Sequence, residues 1–145
     1  MDTHIASQIY GNDCALFTNG SKVADLVSLM GYVHHIFPVE YLKSSGVKEK
    51  VKYNQVANLV YLDTQVNISI GKKPPSEYFG TVFKQCETGT PIWGNILDEQ
   101  VLKQNLRLNC IPEEVRQMTA DDYTSFLLNR RQLMAAKIKE YYKSL

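Results

Sequence analysis

The chain has 145 residues, 44% of them hydrophobic and 21% charged, with a formal net charge of +1. That length suits one domain burying about 70% of its unfolded surface, and the composition excludes the intrinsically disordered class. The longest apolar runs, NLVYL and FLL among them, fall far short of the roughly 20 residues of a membrane-crossing helix.

Met1 leads into DTHIASQIYGND, which lacks the basic start and apolar core of a signal peptide. The cysteines, Cys14, Cys86 and Cys110, are odd in number, scattered and without a CxxC pair. Reduced thiols in a cytoplasmic protein are the expectation, and a zinc knuckle is not. The first thirty residues carry little pattern beyond an Asn-Gly turn in FTNGSKV, between short apolar stretches. VADLVSLMGYV reads equally as helix or strand. Pro38 pushes Phe37 towards extended backbone, so YVHHIF reads as a strand. VEYLKSSGVKEKVKYNQ reads as a long lysine-rich loop with one helical turn at 39–43.

NLVYL has strand composition. Asp63 or Thr64 then caps a short helix over 65–70, which Gly71 ends and Pro74-Pro75 closes off. Ser76 and Glu77 begin one further turn. The order is strand, long loop, strand, short helix, with His34 and His35 near the end of the first strand. DEQVLKQNLRL predicts a helix over 98–108, with Val101, Leu102, Leu106 and Leu108 as buried positions. Thr119 and Asp122 form a capping-box pattern ahead of a long terminal helix. Its apolar stripe runs through Tyr123, Phe126, Leu127, Met134, Ile138 and Tyr141, widened by Leu133 and Tyr142.

The charge is segmented. Residues 1–42 sum to −3, 43–73 to +4, 74–122 to −4 and 123–145 to +4. Two positive segments suit a phosphate-facing surface, although solvated lysines on a loop and an outer helix face give the same pattern.

A His-His pair at a strand end has its own chemistry. Ideal strand neighbours point to opposite faces, but a distortion before Pro38 brings both into one cleft. One imidazole then binds a metal ion while the other takes a proton from water. Phosphodiester hydrolysis uses both functions. A core histidine beside a surface histidine is the plainer alternative.

Asn58 opens the second strand and Asn67 follows nine residues later on the short helix. With HHIFP, ANLVYLD and TQVNISIGKKPPSEYF in this order, the chain resembles the HNH, or ββα-metal (His-Me finger), endonucleases. In particular it is similar to the C-terminal nuclease domain of two-domain bacterial restriction and phage-defence proteins whose other half is a ParB-like nucleotide-binding domain. The stretch after Asn67 is similar to the corresponding segment of the HNH domain of RNA-guided CRISPR nucleases, and FLLNRRQLMAAKIKEYY looks like the branch's terminal helix. The resemblance implies an α+β fold with a ββα-metal core over 31–79 and a helical part over 96–145. It implies a single nuclease domain, 1–145, working as a C-terminal fragment or subunit of a larger system, with DNA as substrate.

Residue by residue, the resemblance makes His35 the general base and Asn58 the residue that orders the loop and holds that base. His34 and Asn67 become the ligands of one divalent metal ion. His34 stands where many HNH enzymes have Asp, so both ligands are neutral. Mg²⁺ or Mn²⁺ is the family expectation, and the neutral pair also suits Ni²⁺ or Zn²⁺. Lys72 and Lys73, after the short helix, and Arg130 and Arg131, off the terminal helix's apolar stripe, are candidate DNA contacts. Glu77 has no carboxylate partner for acid–base work, and Trp93 reads as a packing anchor. A non-catalytic DNA-binding or oligomerisation module of the same shape, or an RNA-cleaving toxin-type nuclease, is the alternative function.

Overall fold

Two short strands, β1 (Val33–His35) and β2 (Leu59–Tyr61), form an antiparallel pair with Val33 opposite Tyr61, His34 opposite Val60 and His35 opposite Leu59. The computed structural model describes residues 3–29 and 33–145. Tyr32, at the head of the expected first strand, and Met30 and Gly31 just before it lie outside the described residues. Among the described residues, eight α-helices stand around the strands: α1 (Thr3–Tyr10), α2 (Val23–Leu29), α3 (Val39–Ser44), α4 (Lys50–Tyr53), α5 (Thr64–Ile70), α6 (Pro75–Thr88), α7 (Glu99–Leu108) and α8 (Tyr123–Lys143). The architecture is mixed helix and sheet. Among the described residues, no helix is long and apolar enough to cross a membrane.

The local signals that place β2 and α5 act as expected. Asp63 accepts from the Gln65 backbone N–H at 2.9 Å, which caps α5, and Gly71 ends it with φ of 58°. Ambiguous VADLVSL is helical, as α2. The lysine-rich loop carries α3 and α4 rather than one turn. Only one turn was expected after Pro74-Pro75, yet α6 runs for 14 residues with Pro75 at its first position. Its inner face carries Tyr78, Phe79, Val82, Phe83 and Gln85, so it is a core helix.

The core joins the two ends of the chain to the middle. Leu16, Phe17, Ile36, Phe37, Leu62, Ile70, Tyr78, Phe79 and Phe126 are all essentially buried. Phe37 lies 5.0 Å, centroid to centroid, from Phe126 of α8 and 5.3 Å from Tyr123. Each fully buried side chain of this size contributes about 1.5–3 kcal/mol. The Asn-Gly turn pairs Cys14 with Lys22 in a single antiparallel bridge, and beside it the Leu16 N–H donates to the Tyr61 carbonyl of β2 at 3.1 Å. Asn105 of α7 holds the same segment, accepting from the Phe17 N–H and donating to the Ala15 and Thr18 carbonyls. Of the buried positions expected on α7, Leu102 and Leu106 are buried and Val101 is 39% exposed.

α8 corrects one expectation. Arg130 does not lie off the apolar stripe; it is 1% exposed and occupies the core between Phe126 and Met134. The spacing explains this, since 126, 130 and 134 are four apart and share one helix face. Its guanidinium donates to the carbonyls of Val56, Ala57, Leu59 and Asn109, at 2.7–3.4 Å. Those acceptors make burial of the charge tolerable. Leu133 and Tyr142, expected to widen the stripe, are 39% and 59% exposed. The Thr119–Asp122 capping box is present and closes a 3₁₀ turn, Ala120–Asp122, that leads into α8.

Candidate metal and catalytic site

β1 sends His34 inwards and leaves His35 half-buried, as the pleat of a strand requires. Both nevertheless line one cavity of about 110 Å³, together with Val33, Pro38, Val39, Asn67 and Gly71. α5 supplies Asn67 from one turn after its Asp63 cap. The cap therefore sets the helix start that aims Asn67 at β1.

His34 has two partners. Its Nδ1 stands 2.5 Å from Asn67 Oδ1 and its Nε2 stands 3.3 Å from the Tyr78 hydroxyl of α6. Burial pushes His34 down to about 4, opposed by the Asn67 hydrogen bond and aided by the nearby His35 charge. At neutral pH the ring is uncharged and carries one proton. Tyr78, itself pushed well up by burial, is a neutral phenol whose single proton goes to the Ile36 carbonyl. Towards His34, therefore, Tyr78 and Asn67 Oδ1 are both acceptors, and one ring proton cannot serve both. With that proton on Nε2 and donated to Tyr78, the Nδ1 lone pair is free beside Asn67 Oδ1. A nitrogen and a carbonyl oxygen disposed in this way are a donor pair for a cation, and the residues fit a divalent metal ion of the borderline type.

His35 Nε2 stands 2.7 Å from Asn54 Oδ1, and its ring packs edgewise on Tyr53 at 6.3 Å. An acceptor at Nε2 selects the tautomer with its proton there and its lone pair on Nδ1, the form that accepts a proton. The Asn58 side chain hydrogen-bonds the loop rather than His35. Fully buried, it accepts from the Phe37 N–H at 2.8 Å and donates to the carbonyls of Phe37 at 3.2 Å and Tyr53 at 3.0 Å. It thereby ties both ends of the loop between the strands. The side chain that hydrogen-bonds the imidazole is Asn54, which the sequence did not single out. A loop asparagine has no periodicity or spacing that would reveal it.

The remaining candidates are spread out. Lys72 is exposed just beyond α5. The Lys73 ammonium donates to the Ser69 carbonyl at 3.3 Å and stands over the Trp93 ring at 5.9 Å. Trp93 is half-buried against the core. Arg131 is exposed and bonds Gln55 at 2.8 Å, whereas Arg130 presents its guanidinium to core carbonyls rather than to solvent. Compared with protein-family models, with curated proteins and with solved structures, the chain matches none.

Proposed function

We propose that the chain is a metal-dependent endonuclease of the HNH type that hydrolyses DNA phosphodiester bonds, built on a ββα-metal core. One observation carries this reading: His34 Nδ1 and Asn67 Oδ1 stand 2.5 Å apart at a cavity that His35 also lines. His34 and Asn67 would hold the ion. A divalent ion bound there would stabilise the negative charge that develops on the phosphate and the leaving oxygen. Among the described residues no three His, Cys, Asp or Glu side chains gather into a metal-holding group. Water and phosphate oxygens would therefore complete the shell, and the neutral pair with its imidazole nitrogen leans towards Mn²⁺, Ni²⁺ or Zn²⁺ rather than Mg²⁺.

His35, with its proton held on Nε2 by Asn54, receives a proton from water on Nδ1. The hydroxide oxygen forms the new bond to phosphorus and the P–O bond to the leaving strand breaks. Asn58 supports this step at a distance, because it fixes the Tyr53 carbonyl next to Asn54. The family resemblance adds a setting, restriction or antiviral defence in the cytoplasm beside a ParB-like nucleotide-binding partner.

The test is nicking of supercoiled plasmid by the chain across Mg²⁺, Mn²⁺, Ni²⁺ and Zn²⁺, with His35→Ala in parallel. Metal-dependent nicking that His35→Ala abolishes is the expected result. A wild-type chain that binds metal and DNA yet never cuts would instead establish a binding module, and faster loss of an RNA competitor would move the substrate to RNA.

A further inference from the structure

We infer that the cleft between α4 and the first turns of α8 is a nucleic-acid backbone subsite, gripping the strand beside the phosphate presented to His35. The ligand class rests on the nuclease reading; the position rests on the cleft itself. It encloses about 350 Å³ between Val47, Lys52 and Gln55 on one wall and Tyr123, Thr124, Leu127 and Arg131 on the other. No lining residue is acidic. Lys52 and Arg131 come from distant parts of the sequence and reach the same space.

The walls are braced. The Tyr123 hydroxyl donates to the Lys52 carbonyl at 2.6 Å, and Arg131 Nη2 donates to Gln55 Oε1 at 2.8 Å. One anchored nitrogen leaves the remaining donors of the guanidinium fork for a phosphate, whose oxygens suit that planar geometry. Lys52 Nζ stands 3.4 Å from Glu49, but both side chains are about 60% exposed, and such a pair is weak enough to yield to a phosphate. Lys43, Lys48 and Lys50 lie on the same segment and add to the positive field.

Position relative to the catalytic pocket is what gives the cleft a role. Lys52 and Gln55 line it, while Tyr53 and Asn54, between them in sequence, hold the His35 ring. Consecutive Cα atoms lie about 3.8 Å apart, and phosphates along one DNA strand rise by about 3.4 Å each. A strand with its scissile phosphate at His35 therefore reaches Lys52, two residues from Asn54, within roughly one to three nucleotides, and Arg131 is tied to the same wall through Gln55. Contacts to the backbone alone fix register without reading sequence.

The experiment uses the full chain carrying His35→Ala, titrated onto a labelled duplex of roughly 20 base pairs from about 50 to 200 mM salt. Lys52→Ala and Arg131→Ala are each expected to flatten the log–log salt dependence by about 1 and to weaken binding about threefold or more. Arg131→Lys restores the slope. Lys143→Ala removes the same charge about 18 Å further along α8 and leaves the slope unchanged. Slopes equal to the parent's in Lys52→Ala and Arg131→Ala overturn the proposal. So does an equal loss in Lys143→Ala, which would mean diffuse charge, and so does binding that ignores salt. Failure of the nuclease reading shows separately, as absent plasmid nicking by the chain with His35 intact, while the salt slopes still report on the cleft.

Discussion

Asn54 Oδ1 lies 2.7 Å from His35 Nε2, and the carbonyl of the residue before it, Tyr53, is bound by Asn58 at 3.0 Å. A buried clasp and an exposed contact to the proposed base thus sit on neighbouring residues. Asn54→Ala is expected to lower kcat by about ten- to a hundredfold with little change in KM, because His35 loses its tautomer-fixing partner. Unfolding in urea should change by no more than about 0.5 kcal/mol, as for other surface positions. Asn54→Asp keeps an acceptor at the same place and should retain most of the wild-type rate. An unchanged kcat in Asn54→Ala would remove Asn54 from the positioning of the base.

Asn67→Asp gives the donor pair a charged oxygen without changing its size. Metal affinity measured by calorimetry should rise about tenfold or more, with the greatest gain for Mg²⁺, the hardest ion of the series. Asn67→Ala should abolish binding while the helix, capped by Asp63, remains folded.

The depressed His34 makes stability depend on pH in a definite direction. Its folded value of about 4 lies below the ordinary 6.5, chiefly through burial, so the unfolded chain binds more protons between those values. Stability from this residue is complete above pH 6.5, declines as pH falls towards 4, and levels off below that. In chelator-treated protein the decline should total roughly 3 kcal/mol. Subtracting the urea-unfolding curve of His34→Gln isolates it from the carboxylates. Parallel pH dependences in the two proteins would refute the assignment.

Arg130 and Arg131 are neighbours with opposite fates. Arg130→Leu leaves the Val56, Ala57, Leu59 and Asn109 carbonyls without their shared donor, and should cost roughly 3–5 kcal/mol. Arg131→Leu should cost less than about 0.5 kcal/mol, since its side chain is exposed. Thermal unfolding of the two variants, side by side, decides this.

Gly94 has φ of 69°, and a Cβ there would lie 1.8 Å from the Phe17 carbonyl oxygen. That atom is backbone in the core and cannot swing aside. Gly94→Ala should therefore destabilise by several kcal/mol, about 3 or more, and a variant with wild-type thermal stability would contradict this packing.

Elements announced by local chemistry were legible in the sequence: the Asp63 cap, the Gly71 stop, the Thr119 box and the β-rich NLVYL. α1 was not, because its buried face consists of His4, Ser7 and Gln8 and so carries no hydrophobic period. The length of α6 was hidden behind two prolines that read as closure. Arg130 was misplaced because an arginine counts as polar in any pattern, whereas here the stripe position outweighs the charge. Within the site, His34, His35 and Asn67 could be named from the sequence. Asn54 and Tyr78 could not, since their contacts depend on how the loop and α6 return to β1.

The reach of Arg130 also bears on biosynthesis. The carbonyls just before and within β2 wait for a donor that stands more than seventy residues later, and the Ala15–Thr18 segment waits for Asn105. A nascent chain stalled before α8 has translated every residue of the candidate site but lacks the group that neutralises the backbone beneath it. Completion of the surrounding fold thus waits for α8, and fragments trimmed to residues 31–79 lack the Arg130 and Asn105 donors that these carbonyls use.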